Sequence, residues 1–317
     1  MARHDFDIGV IGGGSAGLTV AAGAARLGAG VLLIEREQAL GGDCLHYGCV
    51  PSKTLIKTAK VRHQMGRAQE YGLPEAELQR VDFAQVAARI RRVIATIQRH
   101  DSEERFCGLG VRVEHGAARF IDEHTVDWGA GRASARFWVL ATGSSPALPP
   151  IPGLAETPHW TNRDLFSLTA LPESLLVLGG GAVGVEMAQA FQRLGCSVTL
   201  VQRGPHILSR EDAELADVVA QRLLAEGVDV QVGAAVRSVG RAGGEVEVVV
   251  EQDGGVQSLH ADRLLVALGR RANVDGLGLA DIGVEHDERG VTVDQRLRTS
   301  QGHIFAAGDV TGAHQPI

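Results

Sequence analysis

Twice along this chain a short apolar run breaks directly into a glycine-rich turn and then a helix-forming stretch. The first run is Asp7–Ile11, followed by Gly12-Gly13-Gly14-Ser15-Ala16-Gly17, the alanine-rich segment Leu18–Leu27, and a second apolar run, Val31–Ile34, that closes on Glu35. The second starts at Leu175 as LLVLG and enters Gly179-Gly180-Gly181-Ala182-Val183-Gly184. A helical segment with Glu186, Met187 and Phe191 follows, then the run Val198–Val201. Strand, G-x-G-x-x-G, helix and strand in that order describe a parallel β-α-β unit. The first glycine makes the turn, the second lets backbone reach a pyrophosphate, and the third lets the helix pack on the strand. The helix N-terminus supplies amides and partial positive charge to the phosphates. Two such units in one chain imply two dinucleotides, or one dinucleotide plus a second of another kind, held at Gly12, Gly14, Ser15, Ala16 and Gly17 and at Gly179, Gly181, Val183 and Gly184.

The strand ends differ. Glu35, with Arg36 beside it, is placed to accept hydrogen bonds from a ribose, whereas Gln202-Arg203 stands where an NAD-binding unit places its acid. An arginine there suits the extra phosphate of NADP, with Arg210 as a second contact. NADPH is thereby favoured and NADH is the alternative; the plainer reading makes Arg203 an exposed turn residue.

Between the units lies GGDCLHYGCVPSK, Gly41–Lys53. Two cysteines in a short glycine-flanked loop can reach disulfide distance, and strained bridges are the reducible ones. Pro51 suits a first helical turn, which puts Cys49 at the positive end of a helix. A helix N-terminus is one of the settings that lower a thiol pKa. The bland alternative is two unrelated core thiols. Cys107 and Cys196 stand alone among apolar neighbours and read as buried and inert.

The segment as a whole resembles the redox signature of the pyridine-nucleotide disulfide oxidoreductases, the class that includes glutathione reductase, dihydrolipoamide dehydrogenase and mercuric reductase. Their pattern, near GG-x-C-x-x-x-G-C-x-P-[ST]-K, is met at every defined position. ATGSSP around Ala141, Thr142 and Gly143 resembles that family's crossover out of its flavin domain. LGRRAN, with Gly269 and Arg270 and with Ala272 in place of the usual proline, resembles the return. TSQGHIFAAGD, ending in Gly308 and Asp309, resembles the second flavin motif.

The resemblance implies an α/β protein with two Rossmann-like dinucleotide-binding domains, the second inserted into the first. FAD would occupy 1–148 and a returning part, 273–317, and NAD(P) would occupy 149–272. It implies hydride transfer from NADPH to FAD and on to a Cys44–Cys49 disulfide, with Cys49 the flavin-side thiol and Cys44 the exposed thiol that exchanges with substrate. Lys53 would tune the flavin in a buried ion pair with Glu186, and Gly42 and Asp43 would lie against the cofactor. Candidate acceptors are a disulfide, lipoamide, Hg(II) or a quinone. GGDCLHYGC, and QR followed by RED at 210–212, stand nearer the mercuric-reductase-like members. Competing readings are a non-catalytic flavin-binding redox module and an NAD(P)H oxidase. His46, between the cysteines, either exchanges protons with Cys44 or faces water.

Bulk properties narrow the partners. A net charge of −7 gives no field for nucleic acid or an anionic membrane. The basic run Arg89–Arg92 reads as a solvated helix face. No apolar run approaches a membrane span, and the N-terminus enters a strand almost at once, so a cytoplasmic location is expected. Family members continue past this point through a dimerisation domain carrying an acid–base His–Glu pair. This chain therefore reads as a fragment, possible as a monomer, with a small-molecule or disulfide substrate.

Overall fold

The computed structural model describes residues 4–312. In chain order it begins β1 (Phe6–Ile11), α1 (Ser15–Arg26), β2 (Val31–Glu35), α2 (Gly42–His46), α3 (Cys49–Met65), α4 (Phe83–Gln98) and α5 (Glu103–Gly108). Next come β3 (Val111–His115), β4 (Arg119–Phe120), β5 (Thr125–Asp127), β6 (Arg132–Leu140), β7 (Ser144–Pro146) and α6 (Asn162–Leu165). The middle of the chain forms β8 (Ser174–Leu178), α7 (Ala182–Leu194), β9 (Ser197–Gln202), α8 (Ala213–Ala225) and β10 (Asp229–Val232). Then follow β11 (Ala235–Ala242), β12 (Glu245–Gln252), β13 (Gly255–Ala261), β14 (Arg263–Val266) and β15 (Arg270–Ala272). Three short strands close it, β16 (His286–Asp287), β17 (Gly290–Val291) and β18 (Ile304–Ala306).

These elements form two compact units. Among the described residues one comprises 4–49, 94–145 and 270–312, and the other 50–93 and 146–269. Residues 50–93, which the sequence reading left with the first domain, cluster with the second unit. Two contacts inside that unit account for it: Phe83 of α4 stacks on Phe191 of α7, with ring centroids 6.1 Å apart. Arg62 of α3 also donates from Nη1 to the Arg193 carbonyl at 2.8 Å.

In the first unit a parallel sheet runs β3-β2-β1-β6, and β18 pairs in parallel with the second half of β6. From Val111 to Val126 the residues alternate and read in the sequence as strands of a small antiparallel sheet; Val111–His115 lies instead beside β2 in the parallel one. The antiparallel partners are β4, β5 and the start of β6. All five residues of β2 are buried, as a strand covered on both faces requires. Leu32 and Ile34 point to a core with Trp138, Leu140 and Ile304. Val31 and Leu33 pack on the other face with Leu18 and Ala21 of α1 and with Phe106.

The second unit repeats the plan as β10-β9-β8-β14, with a separate antiparallel sheet of β11, β12 and β13. Leu176, Leu178, Leu264 and Val266 share a core with Val246, Val248 and Val250 of that sheet. In the sequence Val246–Glu251 reads as a strand, the middle one of this sheet, whereas β11 and β13 carry no such reading.

The repeat extends to single positions. Gly12, Gly17, Glu35, Leu40 and Gly41 correspond to Gly179, Gly184, Gln202, Ile207 and Leu208 at one constant offset. Gly12 and Gly179 both have φ of 107°, which L side chains rarely adopt. A Cβ on either would run into a carbonyl oxygen at the end of the neighbouring strand, Ala141 or Ala267. Both turns therefore sit where the sheet order reverses, the crevice in which open α/β sheets bind ligands.

Candidate functional site

Helices α5, α6 and α8 are capped at their N-termini by side chains of Ser102, Thr161 and Asp212. Helices α1 and α7 begin after Gly14 and Gly181 with no side-chain cap and no acid in the first turn. Their first amides are left for an outside acceptor, and the positive helix end favours an anion. In the first unit the surroundings stay small. Gly42, at φ 60°, lies so close to Gly14 that a Cβ would come within 2.6 Å of its Cα, and a Cβ on Gly308 would approach Ala16 to 3.1 Å. A dinucleotide pyrophosphate fits this cradle, and the same uncapped geometry recurs at α7.

The thiol pair belongs to the first unit. Cys44 lies in α2 and Cys49 opens α3. The two thiols are hydrogen-bonded to each other. The exposures reverse the expected order: Cys49 is exposed and Cys44 half-buried. Cys44 sits under the start of α1, where it also bonds the Ser15 hydroxyl. Burial pushes the Cys44 thiol up to about 11, helped by its hydrogen bond to Cys49 and the charge there, and opposed by Ser15. A reduced sample treated with iodoacetamide at pH 8.5 is therefore expected to be alkylated at Cys49, with Cys44 following only as pH approaches its raised value. Peptide mapping checks this, and equal labelling at pH 8.5 contradicts it.

Asp43 and Asp309 meet on one guanidinium. Arg270 Nη2 lies 3.0 Å from Asp43 Oδ2 and its Nε donates to Ser144 Oγ at 2.7 Å. Ser144 Oγ in turn donates to Asp309 Oδ2 at 2.6 Å. Arg270 is 15% exposed, so one half-buried cation holds the loop beside the cysteines and the second flavin-type motif together. Asn273 ties down the crossover: its Nδ2 donates to the Thr142 carbonyl at 2.8 Å and its backbone N–H to Gly143. Its Oδ1 accepts from Ser145 Oγ. Ser144 and Asn273 were missed as site residues, although both lie inside the ATGSSP and LGRRAN motifs.

Glu35 is buried, and its carboxylate is already engaged. Oε2 accepts from the Gly13 N–H at 2.6 Å and Oε1 from Glu37 N at 2.8 Å. It braces the glycine loop. Arg36 is exposed, 3.6 Å from Glu37, and joins none of these groups. His46 Nε2 lies 3.0 Å from the Leu40 carbonyl; the carbonyl only accepts, so Nε2 carries the proton. The ring is anchored rather than simply facing water.

In the second unit Lys53 Nζ donates to both Glu186 oxygens, at 2.6 and 2.7 Å. The expected partner is present and the expected burial is not, since the two side chains are 59% and 34% exposed. α3 presents Lys53 on its open face, between buried Ser52 and Thr54. Such a pair contributes about 0.2–1 kcal/mol. Lys53→Met should accordingly change the melting temperature by no more than about 4 °C, measured by calorimetry; a larger loss would make the pair structural. Arg203 and Arg210 are exposed. Cys196 is buried, its thiol pushed up to about 12 by burial and then by the charge of Asp262. Cys107, expected to be buried, is exposed at the end of α5, because Phe106 takes that helix's one buried position.

Two parallel-sheet units with uncapped glycine-loop helices, one of them carrying adjacent thiols, define the class of nucleotide-dependent dithiol oxidoreductases. The family model described as pyridine nucleotide-disulphide oxidoreductase matches residues 6–316, and the chain belongs to that family, whose members use FAD and NAD(P)H. It is 35% identical to a mercuric reductase of Streptomyces lividans over 98% of this chain and 66% of the relative. It is likewise 35% identical to a dihydrolipoyl dehydrogenase of Haloferax volcanii, over 95% of this chain and 64% of the relative. The HOCl-induced flavoprotein disulfide reductase RclA from Escherichia coli superposes with a TM-score of 0.86 at 31% identity, over 98% of this chain and 67% of that one. The chain spans about half to two thirds of the length of the curated relatives named first. Among the described residues no helix is long and apolar enough to cross a membrane.

Proposed function

We propose that the chain passes electron pairs from NAD(P)H, NADPH by preference, through FAD to the Cys44–Cys49 pair and on to a disulfide or Hg(II). The contact of Cys44 with Ser15, at the uncapped start of α1, carries this reading, because it puts a thiol pair beside the first nucleotide loop. Bound FAD would supply two-electron transfer between nicotinamide and sulfur. Glu35 and Asp309 would hold its sugar hydroxyls, the amides of Ser15, Ala16 and Gly17 its phosphates, and Arg270 would keep Asp43 and Asp309 in place. Thr142 and Gly143 would edge the same site. Lys53, ion-paired with Glu186, would be the cation that tunes the flavin. On the nicotinamide side Gly181 and Val183 would receive the phosphates.

In the half-reaction on sulfur, the S–S bond takes up two electrons and two protons and becomes two thiols. A substrate disulfide is then reduced by exchange: one thiolate attacks, a mixed disulfide forms, and the second thiol releases the product while the Cys44–Cys49 bond closes. Hg(II), a soft cation, would instead be gripped by the same two sulfurs. The run of mercuric reductases among the relatives favours that acceptor.

Flavin reconstitution followed by anaerobic NADPH titration tests the scheme. A long-wavelength thiolate-to-flavin absorbance on uptake of two electrons is the expected result. Bleaching of the flavin without that band overturns the dithiol step and leaves an oxidase or a passive flavin binder.

A further inference from the structure

One peptide group, between Leu40 and Gly41, is bonded on both edges. Its N–H donates to the Gly13 carbonyl of the first glycine loop at 2.8 Å. Its carbonyl oxygen takes two donors, His46 Nε2 and Gln98 Nε2, each at 3.0 Å, which fills both of its lone pairs. A peptide group is planar and moves as one piece, so the glycine loop and the segment carrying Cys44 hang on a common plate. The Leu40 side chain anchors the plate from below, 2% exposed and in one core with Val10, Leu33 and Phe106. Past the plate the backbone restrains little: Gly41 and Gly42 have φ of 116° and 60°, and glycine is the residue with the widest choice of conformations.

The two donors act differently. His46 ends α2, two residues past Cys44, so its bond closes the loop on itself. Gln98 ends α4 and reaches the same oxygen from 58 residues away, tying the loop to a scaffold outside it. The second N–H of the Gln98 carboxamide donates to the Asp101 carbonyl at 3.3 Å, so two acceptors assign its orientation. Gln98 Oε1 is then left buried, accepting from no group among the described residues. An acceptor stranded in the interior is destabilising, and a methionine of similar length would avoid it. Gln98 suits the loop better than it suits the core.

We infer that Gln98 is a positioning residue for the thiol pair: through the Leu40 carbonyl it holds the Cys44 loop where Cys44 and Cys49 can close on each other. The inference rests on the dithiol reading proposed above. With glutathione disulfide as oxidant, closure takes two exchanges. The Cys49 thiolate attacks glutathione disulfide and releases one glutathione; Cys44 then attacks the Cys49 sulfur of the mixed disulfide and releases the second. Two electrons and two protons leave the cysteines and are carried off by the two glutathiones. Only the second exchange is intramolecular, and its rate depends on how the loop presents Cys44.

The test equilibrates the purified full chain in glutathione buffers and follows acid-quenched samples by mass spectrometry. Gln98→Met should lower the equilibrium constant for bridge formation about tenfold, which is about 30 mV, and slow closure of the mixed disulfide by a similar factor. Alkylation of the exposed Cys49 by iodoacetamide should keep its wild-type rate, and the melting temperature should not fall. Gln98→Leu, different in shape but equally without donors, should show the same losses. Unchanged constants in both variants overturn the inference, as does a loss confined to one of them, which belongs to packing, or a Cys49 alkylation rate that falls in step with closure. The two readings separate in the wild type. If Cys44 and Cys49 form no bridge at any glutathione ratio, the dithiol reading falls; if they form one that both variants match, the role of Gln98 alone falls.

Discussion

Replacing Cys49 by serine is expected to lower steady-state reduction of any disulfide or Hg(II) acceptor about a thousandfold, equivalent to about 4 kcal/mol in the barrier, while the protein stays folded. A hydroxyl neither forms the intramolecular bridge nor resolves a mixed disulfide, so the two-electron store is lost rather than weakened. Cys49 is exposed, and its replacement removes no buried packing, so stability should stay within about 0.5 kcal/mol. Cys44→Ser should abolish the same turnover with a larger effect on stability, because its half-buried sulfur contacts Ser15 and Cys49. The two sulfurs act as a unit, and the double mutant should be no worse than either single one. Reduction of flavin by NADPH should survive in all three variants, which separates loss of sulfur chemistry from loss of the nucleotide sites. A Cys49→Ser protein that retains a tenth or more of wild-type turnover would mean that electrons leave by another route.

Backbone demand made half of this arrangement legible. Gly12 and Gly179 need positive φ and a missing Cβ, requirements that few sequences other than a glycine-rich turn can meet, so both nucleotide loops announce themselves. The cysteine pair is readable for the same reason, as a short loop set against a helix start. The Lys53–Glu186 pair is a different matter. Its partners are 133 residues apart, and nothing local links them; only the likeness to a known family did. β11 and β13 escaped because an antiparallel sheet covered on one face carries polar and exposed residues along its edges: GVQSLHA is exposed at most positions. Cys107 was misjudged by its apolar neighbours, which say how hydrophobic a segment is and not which side of a one-turn helix faces inward. Ser144 lies inside a recognised motif, yet its bridging of Arg270 and Asp309 depends on residues 126 and 165 positions away.

The polar cluster around Glu226 was invisible for that reason too, and it carries the second large effect: Glu226→Ala should destabilise the second unit by about 3–5 kcal/mol. The Glu226 side chain is 4% exposed. It accepts from Arg193 Nε and Nη2 at 2.6 and 2.7 Å and from Arg222 Nε at 2.6 Å. His63 Nε2 stands 3.9 Å away and accepts from Arg222 Nη2 at 3.0 Å. Through Arg62 and His63 the cluster fastens α3 to α7 and α8. Alanine would strand the Arg193 guanidinium, itself 14% exposed, with its charge uncompensated. Arg222→Ala, at an exposed partner, should cost no more than about 1 kcal/mol.

Acid should expose the same cluster in two stages. Burial lowers the His63 pKa below its ordinary 6.5, with Glu226 opposing and Arg193, Arg222 and Arg67 reinforcing. The unfolded imidazole therefore protonates first, and this contribution to stability is present above about pH 6.5 and lost below it. Burial alone would raise the Glu226 carboxyl, but Arg193, His63 and Arg222 outweigh it and hold it below its ordinary 4.5. Its contribution is complete above pH 4.5 and disappears as pH falls through the lowered value. Denaturant unfolding from pH 7.5 down to pH 4 should thus show a first loss just below 6.5 that His63→Asn removes, and a second below 4.5 that Glu226→Ala removes. Identical pH profiles for wild type and both variants would show that this cluster does not control the acid response.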